Sequence, residues 1–260
     1  MNPEILLTLL QAVMLIVVLL GAIRSAGAEK KSLPIVLFAF AVASVLLSDL
    51  YWLTYDILRP GTQMPFAAYV IGEWAMFLLL GAVLTSTKPI RFQSAKKELL
   101  CAAFFAAASA ALWIAWSGKW VDDVLTGLSY GYFLCALVSR AREEDAFPAS
   151  LWRLFGATCG VLLTAQALIF LVPEPFEKAL DLFCYALLFA GAAGFLVMAG
   201  LSLRNTNEPA NCVCRVFAAF AWVVTVMYMS SGGFYIAGMV LSTLCFPMLL
   251  LALQKEVDAA

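Results

Sequence analysis

Apolar stretches of roughly 20 residues, joined by short polar segments, recur along the whole of this sequence. An α-helix needs about 20 mainly apolar residues to cross the hydrocarbon core of a bilayer. The pattern therefore predicts about nine membrane-spanning helices. Their predicted bounds are Pro3–Ile23, Leu33–Ile57, Met64–Ser86, Leu99–Ser117, Trp120–Ser139, Leu151–Val172, Leu180–Leu203, Cys214–Ser230 and Phe234–Gln254.

The last two spans run together as one apolar block in the sequence. At about 1.5 Å per residue, the block is too long for a single crossing. Ser230, Ser231, Gly232 and Gly233 lie at its middle, and such a cluster of small residues indicates a turn. The block therefore divides into two spans at this point.

The composition agrees with an all-α integral membrane protein. Of the 260 residues, 64% are hydrophobic and only 13% are charged, which is far from the usual balance of a soluble domain. Residues 1–260 then form one polytopic membrane domain, whose first partner is the lipid bilayer. The net charge of −1 gives no indication of nucleic-acid binding.

Basic residues are distributed unequally between the two ends of the predicted helices. Thirteen of the 16 Lys and Arg residues fall on one side, whereas Arg59, Lys119 and Lys178 fall on the other. Because cytoplasmic loops carry the excess of Lys and Arg, the N-terminus is expected outside and the C-terminus in the cytoplasm. The expected location is the cell membrane, inner or plasma.

Two halves of the chain resemble each other in short segments. Residues 45–48 (VLLS) resemble 161–164 (VLLT), and residues 77–81 (FLLLG) resemble 195–200 (FLVMAG). These matches favour an internal repeat, although apolar helices also resemble each other by chance. The chain would then consist of one extra N-terminal helix (3–23) followed by two four-helix units (33–141 and 150–254) in the same orientation. Parallel repeats of this kind are known among transporters.

Two carboxylates lie deep within predicted spans. A carboxylate at the centre of a membrane helix costs roughly 2.5–3.5 kcal/mol, so such residues usually have a function. Asp49 and Glu73 belong to consecutive helices of one hairpin, and both are expected ~13 Å below its outer edge. No Lys, Arg or His lies at that depth, so at least one of the two acids is expected to hold a proton at neutral pH.

Polar and aromatic residues accompany these acids in the outer halves of the second, third and fifth spans. Asp56 and Asp122 lie close to the interface, where a solvated position is expected. Aromatic faces beside the acids would favour an organic cation. The candidate ligand- or proton-binding residues are Asp49, Glu73, Trp52, Tyr69, Tyr51, Asp56 and Asp122. The alternative is that protonated acids only tie two helices together through hydrogen bonds.

The sequence contains no histidine, which excludes His-ligated haem, H-E-x-x-H zinc chemistry and His-based nucleophilic triads. No motif indicates a catalytic residue, a metal site or another cofactor. An enzyme is therefore the least favoured class of function.

The leading hypothesis is a transporter or membrane sensor that handles a small molecule, cation or proton in an acidic and aromatic pocket. The alternative is a haem-free quinone-binding or scaffold subunit of a larger complex, with protein subunits as partners. In size, outside N-terminus and two four-helix units, the chain resembles the haem-free anchor subunits of molybdenum-type reductases, which use a membrane acid near quinol. This resemblance is one of architecture and implies a quinone only under the alternative.

Overall fold

The structure, a computed structural model, describes residues 3–27, 32–59, 68–91, 95–205 and 208–259. These ranges contain nine helices and no strand. All nine helices are long and apolar enough to cross a membrane, which confirms the predicted all-α multi-pass membrane protein. The helices are α1 (Pro3–Gly27), α2 (Leu33–Leu58), α3 (Ala68–Thr87), α4 (Lys96–Ser117), α5 (Trp120–Glu143), α6 (Ala149–Ile169), α7 (Glu174–Arg204), α8 (Pro209–Tyr228) and α9 (Gly232–Ala259).

Helix ends differ from the predicted bounds mainly at polar residues. α7 begins at Glu174 rather than Leu180, because Pro175 is suited to the first turn and Glu174 and Glu177 complement the positive end of the helix dipole. The apolar block of the last two spans is interrupted after Tyr228, as predicted, and α9 begins at Gly232 with a φ of 57°. The predicted start of the third span, 64–67, lies outside the described residues.

Eight helices form a closed ring, each in contact with the next. Their order around the ring is α1, α2, α3, α5, α4, α6, α7 and α9, and α9 contacts α1. α8 contacts α5, α7 and α9 and has 72% of its apolar stretch buried, against at most 50% in the other helices. α8 is therefore the core of the bundle.

Ion pairs collect at one end of the bundle, which we call the basic end. The ion pairs found in the described ranges are Lys88–Glu144 (2.5 Å), Arg91–Glu143 (3.4 Å), Arg142–Glu98 (3.6 Å) and Arg140–Glu256. At the opposite end, the acidic end, α5 and α7 begin with acids in their first turns. Lys and Arg residues outside these pairs, among them Lys96, Lys97 and Arg204, also lie at the basic end, so the two ends of the bundle differ in charge.

α6 is the most loosely packed helix. Only 17% of its apolar stretch is buried, and its contacts are with α4 and α7. A Cβ added at Gly156 or Gly160 would meet nothing from a neighbouring helix within 4 Å. Between α6 and the inner helices lies an apolar cavity of about 470 Å³, which extends to Tyr130 and Thr225.

Candidate functional site

The acid-bearing helices α2 and α3 approach each other closely beside Asp49 and Glu73. A Cβ on Gly72 would lie 2.6 Å from the carbonyl oxygen of Ser44 and 2.8 Å from Cβ of Ser48, so only glycine permits this approach. Asp49 follows Ser48 and Glu73 follows Gly72 in the sequence. The contact therefore places both acids at the same level of the hairpin.

Glu73 is joined to the core helix by a hydrogen bond. The hydroxyl of Tyr228, at the end of α8, donates to Oε2 of Glu73 over 2.6 Å. This length is typical of a hydroxyl that donates to a carboxylate. The bond links α3 to α8, whose backbones do not come close to each other in the described part of the bundle.

Asp49 is half-buried and incompletely satisfied. Its Oδ2 is buried without a hydrogen-bond partner among the described residues. Its carboxyl group is close enough to Glu73 for the two charges to act on each other. Neither acid takes part in an ion pair within the ranges described.

Aromatic rings surround the Tyr228 side of the site. The Tyr228 ring centroid lies 4.9 Å from that of Trp113 and 6.3 Å from that of Phe77. Nearby, Nε1 of Trp74 donates to Oγ1 of Thr126 over 2.8 Å, which joins α3 to α5. Rings and helix-to-helix hydrogen bonds thus hold Glu73 and Tyr228 in a defined position.

A cavity of about 180 Å³ opens at the acidic end between α4, α6, α7 and α8; we call it the acidic-end cavity. The residues of interest in its wall are Trp113, Trp116, Tyr185, Tyr228, Glu177 and Asp181. Tyr228 belongs both to this wall and to the hydrogen bond with Glu73. Its side chain therefore lies between the cavity and the acid pair.

The other predicted site residues occupy different surroundings. Trp52 is half-buried on α2, and Tyr51 lines a groove between α2 and α3 together with Ser48 and Gly72. Asp122 is half-buried in the first turn of α5. The side chains of Asp56 and Tyr69 lie outside the described part of the chain.

Sequence patterns alone missed Tyr228, Trp113 and the two acids of α7 that line the acidic-end cavity. A signal for the acids was present, because Glu177 and Asp181 are four residues apart and share a helix face. Tyr228 and Trp113 lie near helix ends, where aromatic residues usually serve as interfacial anchors. Their part in a site is visible only in the folded bundle.

Comparison of the chain with protein families, with curated proteins and with solved structures finds no match. The chemistry of the site therefore follows from its own residues. An acid within a span that lacks a basic partner is neutralised either by a proton or by a bound cation.

Proposed function

We propose that this multi-pass membrane protein binds a proton or a small cation at Asp49 and Glu73, as a transporter or a membrane sensor. The observation that carries the proposal is the hydrogen bond from Tyr228 to Glu73 beside the incompletely satisfied Asp49. Both acids lie within spans, where an uncompensated charge is costly. A site that can accept either a proton or a cation relieves this cost.

The hydrogen bond between Tyr228 and Glu73 depends on whether Glu73 is protonated. An ionised Glu73 only accepts hydrogen bonds, whereas a protonated Glu73 can also donate one. A change in the protonation of Glu73 therefore changes the partner that Tyr228 needs. Because Tyr228 ends the core helix α8, such a change acts on the helix with the largest buried fraction.

For the membrane topology, we propose that the acidic end faces outside and the basic end faces the cytoplasm. The excess of Lys and Arg at the basic end supports this orientation. The N-terminus then lies outside and the C-terminus in the cytoplasm, and the acidic-end cavity opens outward.

We also propose that helices α2–α5 and α6–α9 arose by duplication. Three helix pairings correspond between the halves: α2·α3 with α6·α7, α4·α5 with α8·α9, and α3·α5 with α7·α9. The pairing of α7 with α8 has no counterpart between α3 and α4 within the described ranges. The correspondence supports two units that diverged where α8 entered the core.

Infrared difference spectroscopy of the purified protein in nanodiscs tests the cation- or proton-binding site. We expect the wild-type protein to show the carbonyl band of a protonated carboxylic acid, and we expect it to weaken when sodium, potassium or choline chloride is added. Asp49→Asn and Glu73→Gln should each weaken the band, because each substitution removes an acid while it keeps the side-chain shape. The double variant should abolish the cation response.

Asp258→Asn is the matched control, since Asp258 is exposed near the end of α9 and should not contribute to the band. A band that responds to no cation, together with no proton flux in liposomes, would contradict the proposal and leave the acids as helix-tying groups. If the site is confirmed, proton flux that is lost in the double variant identifies a transporter. A titrating site without flux identifies a sensor.

The second candidate function is that of a quinone-binding subunit of a larger complex. The apolar cavity of about 470 Å³ beside α6 favours it, because this volume lies in the usual range of small-molecule sites. The hydroxyl groups of Tyr130 and Thr225, which bond to each other over 2.8 Å, line this cavity. Both hydroxyls also lie 3.0 Å from the carbonyl oxygen of Ala221, to which each can donate, so a quinone carbonyl would have to replace one of these hydrogen bonds.

A cavity-filling substitution tests this second function. Gly156→Leu should fill part of the cavity, because Gly156 lines it and a Cβ at this position would meet nothing within 4 Å. If the cavity holds a quinone, organic extraction and mass spectrometry should recover several-fold less quinone from this variant than from the wild type. Gly194→Leu, at an exposed position of α7 that does not line the cavity, should retain the wild-type amount. A wild-type protein without quinone would exclude this function.

A further inference from the structure

We propose that the acidic-end cavity binds a small quaternary ammonium cation that carries an oxygen, such as choline. The inference rests on the proposed function of Asp49 and Glu73 and names the class of ligand that would bind on the other side of Tyr228. Trp113, Trp116, Tyr185, Tyr228, Glu177 and Asp181 carry the inference, and all six line the cavity.

Aromatic rings supply the first part of the recognition. Four of the cavity residues are Trp or Tyr, and the rings of Trp113 and Tyr228 lie 4.9 Å apart. Tyr185 is held in place by the ring of Phe234 at 4.5 Å and by a 3.2 Å hydrogen bond between its hydroxyl and Ser231. Faces of Trp and Tyr attract quaternary ammonium groups through their ring quadrupoles.

Carboxylates on one face of α7 supply the second part. Glu177 and Asp181 both line the cavity, and neither forms an ion pair within the described chain. The helix dipole accounts for Glu177, which lies in the first turn of α7, but its effect does not extend to Asp181. The adjacent Lys178 is exposed and does not line the cavity. A bound cation would supply the positive partner that Asp181 lacks within the described chain.

A hydrogen-bond donor supplies the third part. Trp113 is only 8% exposed, and its Nε1 has no hydrogen-bond partner among the described residues. A buried N–H without a partner is energetically unfavourable. A ligand oxygen near Trp113 could accept this hydrogen bond, which a bare ammonium group could not. The donor therefore favours a cation that carries a hydroxyl or carbonyl group.

The size of the cavity limits the ligand. Its volume of about 180 Å³ is smaller than the ~300–1,000 Å³ of sites for drug-sized molecules. At about 30 Å³ for each water molecule, it has room for about six waters. A trimethylammonium group with a short side arm has about this size, whereas a phospholipid or a peptide does not.

Titration with choline, with binding read by isothermal calorimetry on the full-length protein in nanodiscs, tests the inference. The uncharged carbon isostere 3,3-dimethyl-1-butanol is the control ligand, since it has nearly the same shape without the positive charge. We expect choline to bind and its isostere to bind at least tenfold more weakly. Equal binding of the two, or no binding of choline, would overturn the inference.

Variants place the binding in the cavity. Asp181→Asn removes the charge while it keeps the side-chain shape, and it should weaken choline binding at least tenfold. Glu174→Gln is the matched control, because Glu174 is an exposed acid on the same helix that does not line the cavity. It should leave choline binding unchanged. Equal losses in both variants would show a general surface-charge effect and overturn the proposed site.

The proposed function and this inference fail in different ways. If choline does not bind while sodium or potassium still weakens the carboxylic-acid band, the inference fails and the acid site remains. If choline binds at Asp181 while the band of Asp49 and Glu73 responds to no cation, including choline, and no proton flux is measured, the cavity remains and the proposed function fails.

Discussion

Glu256→Ala should lower the free energy of unfolding by about 3–5 kcal/mol, the usual cost of removing one partner from a buried ion pair. Glu256 of α9 pairs with Arg140 of α5, whose side chain is only 1% exposed. Nε and Nη1 of Arg140 have no other partner among the described residues, so the substitution would leave a buried charge without compensation. Denaturant unfolding in mixed micelles, followed by tryptophan fluorescence, measures the change.

Two control variants distinguish the effect of burying the ion pair from the effect of removing a charge. The double variant Arg140→Met/Glu256→Leu should recover much of the lost stability, because it removes both charges and keeps the side-chain volume. Glu98→Ala breaks the more exposed pair with Arg142 at the same end and should cost no more than about 1 kcal/mol. Equal losses for Glu256→Ala and Glu98→Ala would show that burial of the Arg140 pair does not matter.

Gly191→Ala should lower the free energy of unfolding by about 2–4 kcal/mol, through overpacking and a lost hydrogen bond. A Cβ on Gly191 would collide with the indole of Trp222, which lies in the core helix α8. The indole cannot easily move aside, because its Nε1 donates to the carbonyl oxygen of Leu188 over 2.8 Å. The same unfolding measurement applies.

Gly194→Ala and Gly200→Ala are matched controls on the same helix. A Cβ at either position would meet nothing within 4 Å, so only helix propensity should change. Both variants should be as stable as the wild type or more stable, by up to about 1 kcal/mol. If Gly191→Ala behaves as they do, the close contact between α7 and α8 does not limit stability.

The number and type of helices were predictable because the bilayer imposes a length and a composition on every span. The break between α8 and α9, at residues 229–231, was predictable from the cluster of small residues at 230–233. The start of α7 at Glu174 was not predictable. A hydropathy pattern marks only the apolar part of a helix, and the first residues of α7 are polar. The internal repeat, the outside N-terminus and the division into four-helix units remain predictions.

Of the candidate site, the sequence pointed to the acids of the first hairpin but not to the residues that complete it. Asp49 and Glu73 are conspicuous because acids are rare in spans. Tyr228 lies 155 residues from Glu73, and nothing in either segment indicates that they meet. Their contact depends on α8 occupying the core of the ring, which is a property of packing rather than of hydropathy. The roles of all seven predicted residues remain predictions.

The ring of helices has a consequence for how the protein is made. Helices leave the ribosome in chain order, yet α1 completes the ring by contacting α9, which is made after all the other helices described here. The core helix α8 likewise follows α1–α7 in the chain. Before α8 and α9 are inserted, Glu73 lacks its hydrogen-bond partner Tyr228, and Arg140 lacks its ion-pair partner Glu256. The candidate site therefore forms only after α8 and α9 have joined the seven helices that precede them.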